Sequence, residues 1–200
     1  VTLLPVTLAS DRLRLEPLEE RHLPGLVEAA QDPELWRYLG ALDLRDPARL
    51  TSWLELVRVE RERGDGLAFV LVDVASNRVV GSSSLYEYSA QHRRVEIGRT
   101  WIVRSAWRSW LNTEAKSLLL TFCFEDLGLG RVQLKTDARN ERSQRAIERL
   151  GAQREGVLRA HMVLPDGYVR DTVMYAVTRA DWPAVRARLL HLRATRGGAS

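Results

Sequence analysis

The sequence predicts a mixed α/β fold, α+β in the stricter sense, with a mostly antiparallel central sheet flanked by helices in one domain. Three observations point there. Short runs of period-2 hydrophobicity alternate along the chain with stretches of helical periodicity. No repeat, low-complexity tract or linker divides the 200 residues. A composition of 45% hydrophobic and 28% charged residues suits a packed core and excludes disorder, collagen and coiled coil. A chain of this length buries most of its unfolded surface, so residues 1–200 read as a single domain with a core over about 8–180.

The elements follow in order. Leu13 and Leu15 alternate with charged residues between Leu8 and Leu18, a half-buried strand that Pro17 ends. Leu23, Leu26, Val27 and Ala30 share a face of a helix from Glu19 to about Ala30, stopped by Asp32-Pro33. A second helix runs from Pro47 to Arg63 and finishes at Gly64. Leu67–Val74 and Val79–Tyr86 form a hairpin about the turn at 75–78, and Arg94–Val103 adds a third strand, a meander. Helix returns at Thr113–Leu127 with Asn112 as the candidate N-cap and Gly128 as the stop. Then come a strand at Arg131–Asp137, a short helix at Ser143–Leu150 ended by Gly151, and strands at Val157–Leu164 and Val169–Val177 joined by Pro165-Asp-Gly167. The last helix, 181–196, carries a basic face.

Composition narrows the chemistry. Cys123 is the one cysteine, so an intrachain disulfide framework and a thiolate zinc site are excluded, and its place in Phe122-Cys123-Phe124 reads as a small buried residue. None of the four histidines lies within helical or strand reach of another, which disfavours a local metal site; no metal is expected. The first ten residues lack a basic n-region, and no run approaches the roughly 18–20 apolar residues of a membrane span, so a cytosolic protein that does not enter membranes is expected. The net charge of +4 invites an anionic partner. Lys116 and Lys135 are the two lysines among 30 basic residues, and the arginines that make up the rest bind phosphate in a fork.

The passage from Glu96 to Leu127 is the most informative. A strand leads through Trp107-Arg-Ser-Trp-Leu-Asn-Thr113 into a helix, and a helix N-terminus with Arg104 and Arg108 beside it is an anion site. Ser10-Asp-Arg-Leu-Arg-Leu-Glu-Pro-Leu18, Val95-Glu-Ile-Gly98, Asn112-Thr-Glu-Ala-Lys116 and Asn140-Glu-Arg-Ser143 with Arg149-Leu-Gly151 stand in an order that resembles the GCN5-related N-acetyltransferases, in particular the branch that acetylates ribosomal-protein N-termini.

The resemblance implies acetyl-CoA as co-substrate and a primary amine as acceptor, either a protein N-terminus or a small molecule. It places the pantetheine arm along the main chain of Trp101, Ile102 and Val103, where the strand splays from its neighbour. The pyrophosphate falls to the loop of Arg108, Ser109, Trp110, Leu111, Asn112 and Thr113, which has lost the usual glycines. Asn140 matches a position that holds the pantetheine arm, and Arg149 falls within the last matching segment.

Direct attack on the thioester needs an unprotonated amine. An α-amine titrates near ~7.7–8.0 and a lysine near ~10.4, a difference of about 3.4 kcal/mol, so an α-amine asks less of a base. Glu96 is the first candidate base and reads equally as a surface partner of Arg94 or Arg99; His161 is the second. Ser143 matches the serine that protonates the departing thiolate and reads equally as the cap of its helix. The branch's own glutamate falls at Met162. The tryptophans Trp36, Trp53, Trp101 and Trp107 read as core before substrate slot. A non-catalytic RNA- or ribosome-associated module is the alternative, motivated by the arginines from 179 to 196, though the coenzyme phosphates make nucleic acid the weaker partner. A homodimer through the sheet edge or the last helix stays open.

Overall fold

Strand β3 (Leu67–Asp73) sets the layering. Leu67, Phe69 and Leu71 enter one apolar cluster while Ala68, Val70 and Val72 enter another, and all six are buried, so both faces of the sheet must be covered. In this computed structural model, which describes residues 3–39 and 42–196, helices α1 (Leu23–Ala29) and α2 (Pro47–Arg63) cover the second face. Helices α3 (Leu111–Thr121), α4 (Glu141–Leu150) and α5 (Trp182–Arg196) cover the first. Residues 1–2, 40–41 and 197–200 of the expected domain lie outside the described residues.

Eight strands form one sheet: β1 (Leu8–Ala9), β2 (Leu13–Pro17), β3, β4 (Val79–Ser89), β5 (Arg94–Ile102), β6 (Arg131–Asp137), β7 (Gln153–Val163) and β8 (Val169–Thr178). The spatial order is β1-β2-β3-β4-β5-β6-β8-β7, with antiparallel neighbours throughout except β5 and β6, which run parallel across the α3 connection. Among the described residues, no helix is long and apolar enough to cross a membrane.

Several boundaries differ from the sequence reading, each for a local reason. The opening strand is cut at Ser10, whose Oγ accepts from the main-chain N–H of Arg12 and Leu13 and turns the chain back on itself. The helix expected from Glu19 starts with a 3₁₀ turn, Glu20–His22, ahead of Pro24. Helix α2 keeps its expected bounds, with the Asp46 carboxylate accepting from Ala48 N–H at 2.9 Å and Gly64 at φ 71° closing the other end. Helix α3 begins at Leu111, so Asn112 lies inside it and is not its cap; Ser109 Oγ accepts from Leu111 N–H at 3.2 Å. Its last turn widens to a π-helix over Phe122–Asp126. Helix α4 begins at Glu141 and its cap is Asn140, whose Oδ1 accepts from Ser143 N–H at 3.1 Å; Ser143 is therefore not the cap.

The parallel pairing is short. β5 meets β6 at Arg94 with Arg131, Val95 with Val132 and Glu96 with Gln133, and there it ends. Beyond it β5 continues to Ile102 against β4, and β6 continues to Asp137 against β8, leaving a wedge whose apex is Glu96.

Candidate active site

Alternation along the strands puts a polar set on one face of the sheet at this apex. Leu85, Val95, Ile97, Val132, Leu134, Val173 and Tyr175 enter the core beneath α3 to α5, so Tyr86, Glu96, Gln133, Lys135, Asp137, Arg170 and Thr172 face the other way. Glu96 is fully buried. Its carboxylate accepts from the Tyr86 hydroxyl, from Gln133 Nε2 at 3.0 Å, and from Lys135 Nζ at 3.1 Å. Burial and then the neighbouring Glu96 charge push the Tyr86 phenol well above its ordinary pKa, so it remains a donor. The expected surface pairing of Glu96 with Arg94 or Arg99 is not made. Arg99 stacks over the Tyr86 ring at 4.1 Å and binds Glu60 through two bonds of 2.6 and 2.7 Å.

Gly98 permits this arrangement, because a Cβ there would stand 2.6 Å from the Tyr86 hydroxyl oxygen. The sheet is also irregular here, with a register shift between Ser82 and Ser84 and Arg99 at φ 50°. On the opposite face Lys116 reaches the same irregularity: its Nζ donates to Thr100 Oγ1 at 2.6 Å and Ser83 Oγ at 3.2 Å. Burial lowers the Lys116 pKa to about 7.

The mouth of the wedge carries the loop into α3. Arg108 takes φ 64° without being glycine, and the main-chain N–H groups of Asn112 and Thr113 open the helix without intrahelical partners. Trp107 Nε1 donates to Ile102 O at 2.8 Å, and Arg142 from the first turn of α4 lies 3.4 Å over the Trp107 ring. Arg12 covers Trp110 at 4.5 Å.

This architecture has a match in sequence. The profile of the acetyltransferase (GNAT) domain family covers residues 12–153, which contain the wedge, its mouth and the capped start of α4. The chain belongs to the GNAT acetyltransferases. The uncharacterized N-acetyltransferase YoaA of Bacillus subtilis is 26% identical over 172 residues, spanning 86% of this chain and 96% of its own length. A GCN5-related N-acetyltransferase from Brucella melitensis superposes with a TM-score of 0.86 at 28% identity, over 96% of this chain and 86% of that one. RimJ of Mycobacterium smegmatis, solved with CoA-disulfide, shares the fold with a TM-score of 0.80 at 22% identity, over 98% and 97% of the two chains.

Against the GNAT frame the expected residues separate. Glu96 sits at the apex, and Trp101, Ile102 and Val103 follow on the β5 side, with the side chains of Trp101 and Ile102 packed into the core. Trp36 and Trp101 form a tilted pair at 5.4 Å, and both are core, as is Trp53. Asn140 and a half-buried Ser143 stand where α4 leaves β6. Leu111 and Thr113 are buried, leaving main chain as their means of contact. Arg104 lies 6.0 Å over the Trp107 ring and pairs with Asp32 at 3.6 Å, on the rim of a cavity of about 800 Å³ that also takes in Arg14, Arg21 and Arg78. Arg149 lies at the far end of α4, about 13 Å along the axis from Asn140 at 1.5 Å per residue, and its carbonyl accepts from Arg188. His161 is exposed on the edge strand and meets Thr172 Oγ1 at 3.1 Å; it does not join the Glu96 cluster. Among the described residues no cluster of histidine, cysteine or carboxylate could hold a metal.

Tyr86, Gln133 and Lys135 escaped the sequence reading because they lie 10, 37 and 39 residues from Glu96. A signal was present for one of them. In a chain that otherwise uses arginine, both lysines stand against the irregular end of the β5 pairing.

Proposed function

We propose that this acetyltransferase moves an acetyl group from acetyl-CoA to a primary amine, with Glu96 as the base. The observation that carries the reading is the early end of the β5–β6 pairing: among the described residues the β5 main chain from Ile97 to Ile102 lacks a strand partner on one side, directly beyond a buried carboxylate. An extended, amide-bearing arm completes such an edge as an added strand. The residues at the mouth fit the rest of the coenzyme. Among the described residues Arg108 and Arg142 form no ion pair with a carboxylate, and the α3 N-terminus presents the N–H groups of Asn112 and Thr113. Arg108 at φ 64° holds the loop in the left-handed turn that glycine usually supplies.

Acetyl-CoA supplies an activated thioester. Glu96, directly or through a water, takes the proton of the amine, and Lys135 with Tyr86 holds the carboxylate in place. Ser143, at the start of α4, returns a proton to the departing thiolate. The basic tail does not favour an RNA-binding module: Arg179 binds Phe124 O, Arg186 binds Glu125, Arg188 binds Arg149 O and Arg193 binds Glu114.

Thermal shift and calorimetry with acetyl-CoA, followed by thiol release over a panel of α-amines and lysine amines, test the reading. Millimolar acetyl-CoA raises the Tm. Glu96→Gln lowers kcat by about a hundredfold or more and flattens the rise of rate with pH. No shift with acetyl-CoA and no thiol release with any amine overturns the assignment.

A further inference from the structure

Three cations beside Glu96 have partners: Arg99 has Glu60, Lys135 has Glu96, and Arg139 holds Asp137 through bonds of 2.7 and 3.0 Å. Arg170 has none. It is the second residue of β8, is 9% exposed, lies in electrostatic reach of Glu96, Tyr86 and Asp137, and its Nε is enclosed without a hydrogen-bond partner. No described carboxylate comes within ion-pair distance of it. Burial pulls its pKa below the ordinary arginine value, with Asp137 acting in the opposite sense. A largely buried guanidinium without an anion is costly, and removing a charge from water is repaid only by good pairing, while its Nη groups stay open to a ligand.

The position says what should pair with it. Arg170 is on the same sheet face as Glu96, beyond the reach of α1 and α2, whose cluster extends across the sheet only as far as Trp101 on β5. On this face β7 pairs Leu158 with Thr172 and Met162 with Arg170, and both apolar residues are more than 40% exposed, so open apolar surface flanks Arg170 along the edge strand.

We infer that Arg170 is the carboxylate-binding residue of the acceptor site, and that the acceptor is a primary amine bearing a carboxylate, either a free amino acid or an acidic residue near a peptide N-terminus. This rests on the acetyltransferase reading above and names its substrate class. The planar fork of arginine binds a carboxylate through two parallel bonds and fixes the amine on the same molecule relative to Glu96.

Thiol release is measured for wild type, Arg170→Met and Arg170→Lys on two matched pairs: leucine against leucinamide, and tripeptides beginning with Asp against the same tripeptides beginning with Asn. Comparing each variant's ratio within a pair cancels differences in amine basicity. Relative to Arg170→Met, wild type favours the anionic member of one pair by about tenfold or more in kcat/KM, chiefly through KM, and the pair concerned identifies the source. Arg170→Met collapses that ratio and Arg170→Lys retains part of it. Within-pair ratios that are the same in wild type and Arg170→Met for both pairs overturn the inference. Calorimetry of N-acetyl-leucine and N-acetyl-aspartyl peptide against wild type and Arg170→Lys reads carboxylate binding without turnover. Carboxylate binding weakened by the lysine variant supports the inference even where Arg170→Met does not fold or no thiol is released, and its absence overturns it. Failure of acetyl-CoA to react with any amine, by contrast, counts against the enzymatic reading.

Discussion

Lys116 shows how one side chain's burial becomes a property of the whole protein. Its amine is enclosed between α3 and the sheet with two hydroxyls as partners, and burial lowers its pKa from 10.5 to about 7. Between those values the unfolded chain holds a proton that the folded chain has released, so stability rises with pH across the window. Below pH 7 the ammonium must be buried and the cost is complete. Lys116→Met removes that cost while leaving the 2.8 Å bond between Ser83 and Thr100. Thermal melts of variant and wild type are expected to show a gain of about 3–6 °C at pH 6, shrinking to about 1 °C by pH 10. A gain independent of pH would show that Lys116 titrates like an exposed lysine. Cys123 contrasts with it: it is buried, as its apolar neighbours in the sequence suggested, and enclosure pushes its thiol above the ordinary value.

Strand β5 does the positioning at the level of an element. Its first three residues pair with β6, its fifth is glycine, and its sixth takes a left-handed turn that sends Arg99 to Glu60 on α2. Val95-Glu-Ile-Gly98 was legible as a strand with a carboxylate beside a glycine, but the purpose of the glycine was not. It clears the space through which the Tyr86 hydroxyl reaches Glu96. Gly98→Ala is expected to cost about 1–3 kcal/mol in urea melts and to lower turnover by about tenfold or more, since the phenol must move. Adding Tyr86→Phe removes the colliding oxygen and recovers part of the stability but not the turnover. Additive losses in that cycle would sink the explanation.

Across the molecule, Glu114 joins elements distant in sequence. Its carboxylate, 1% exposed on the first turn of α3, accepts from Arg12 ahead of β2 at 3.2 Å and from Arg193 near the end of α5 at 2.6 and 2.9 Å. The two arginines are about a third exposed and can rehydrate, so Glu114→Ala is expected to cost about 2 kcal/mol rather than the larger loss of a fully enclosed pair, or about 4–8 °C in Tm. Hydrogen exchange should rise first in α5. An unchanged Tm would mean that apolar contacts of Trp182, Val185 and Leu189 alone dock the helix.

The order of strands and helices, the bounds of α2, the turn at Pro165-Asp-Gly167 and the family resemblance were all contained in the sequence, because periodicity, caps and turn residues act over a few positions. The short-range signals also marked Glu96 without revealing its state. That its partners are Lys135, Gln133 and Tyr86, that Arg149 and His161 stand apart from them, and that Arg170 is left largely buried without an anion among the described residues were decided by tertiary structure. Which charge meets which depends on strand register and on where the parallel pairing stops, and those follow from packing both faces of the sheet, a condition that no local stretch of sequence contains.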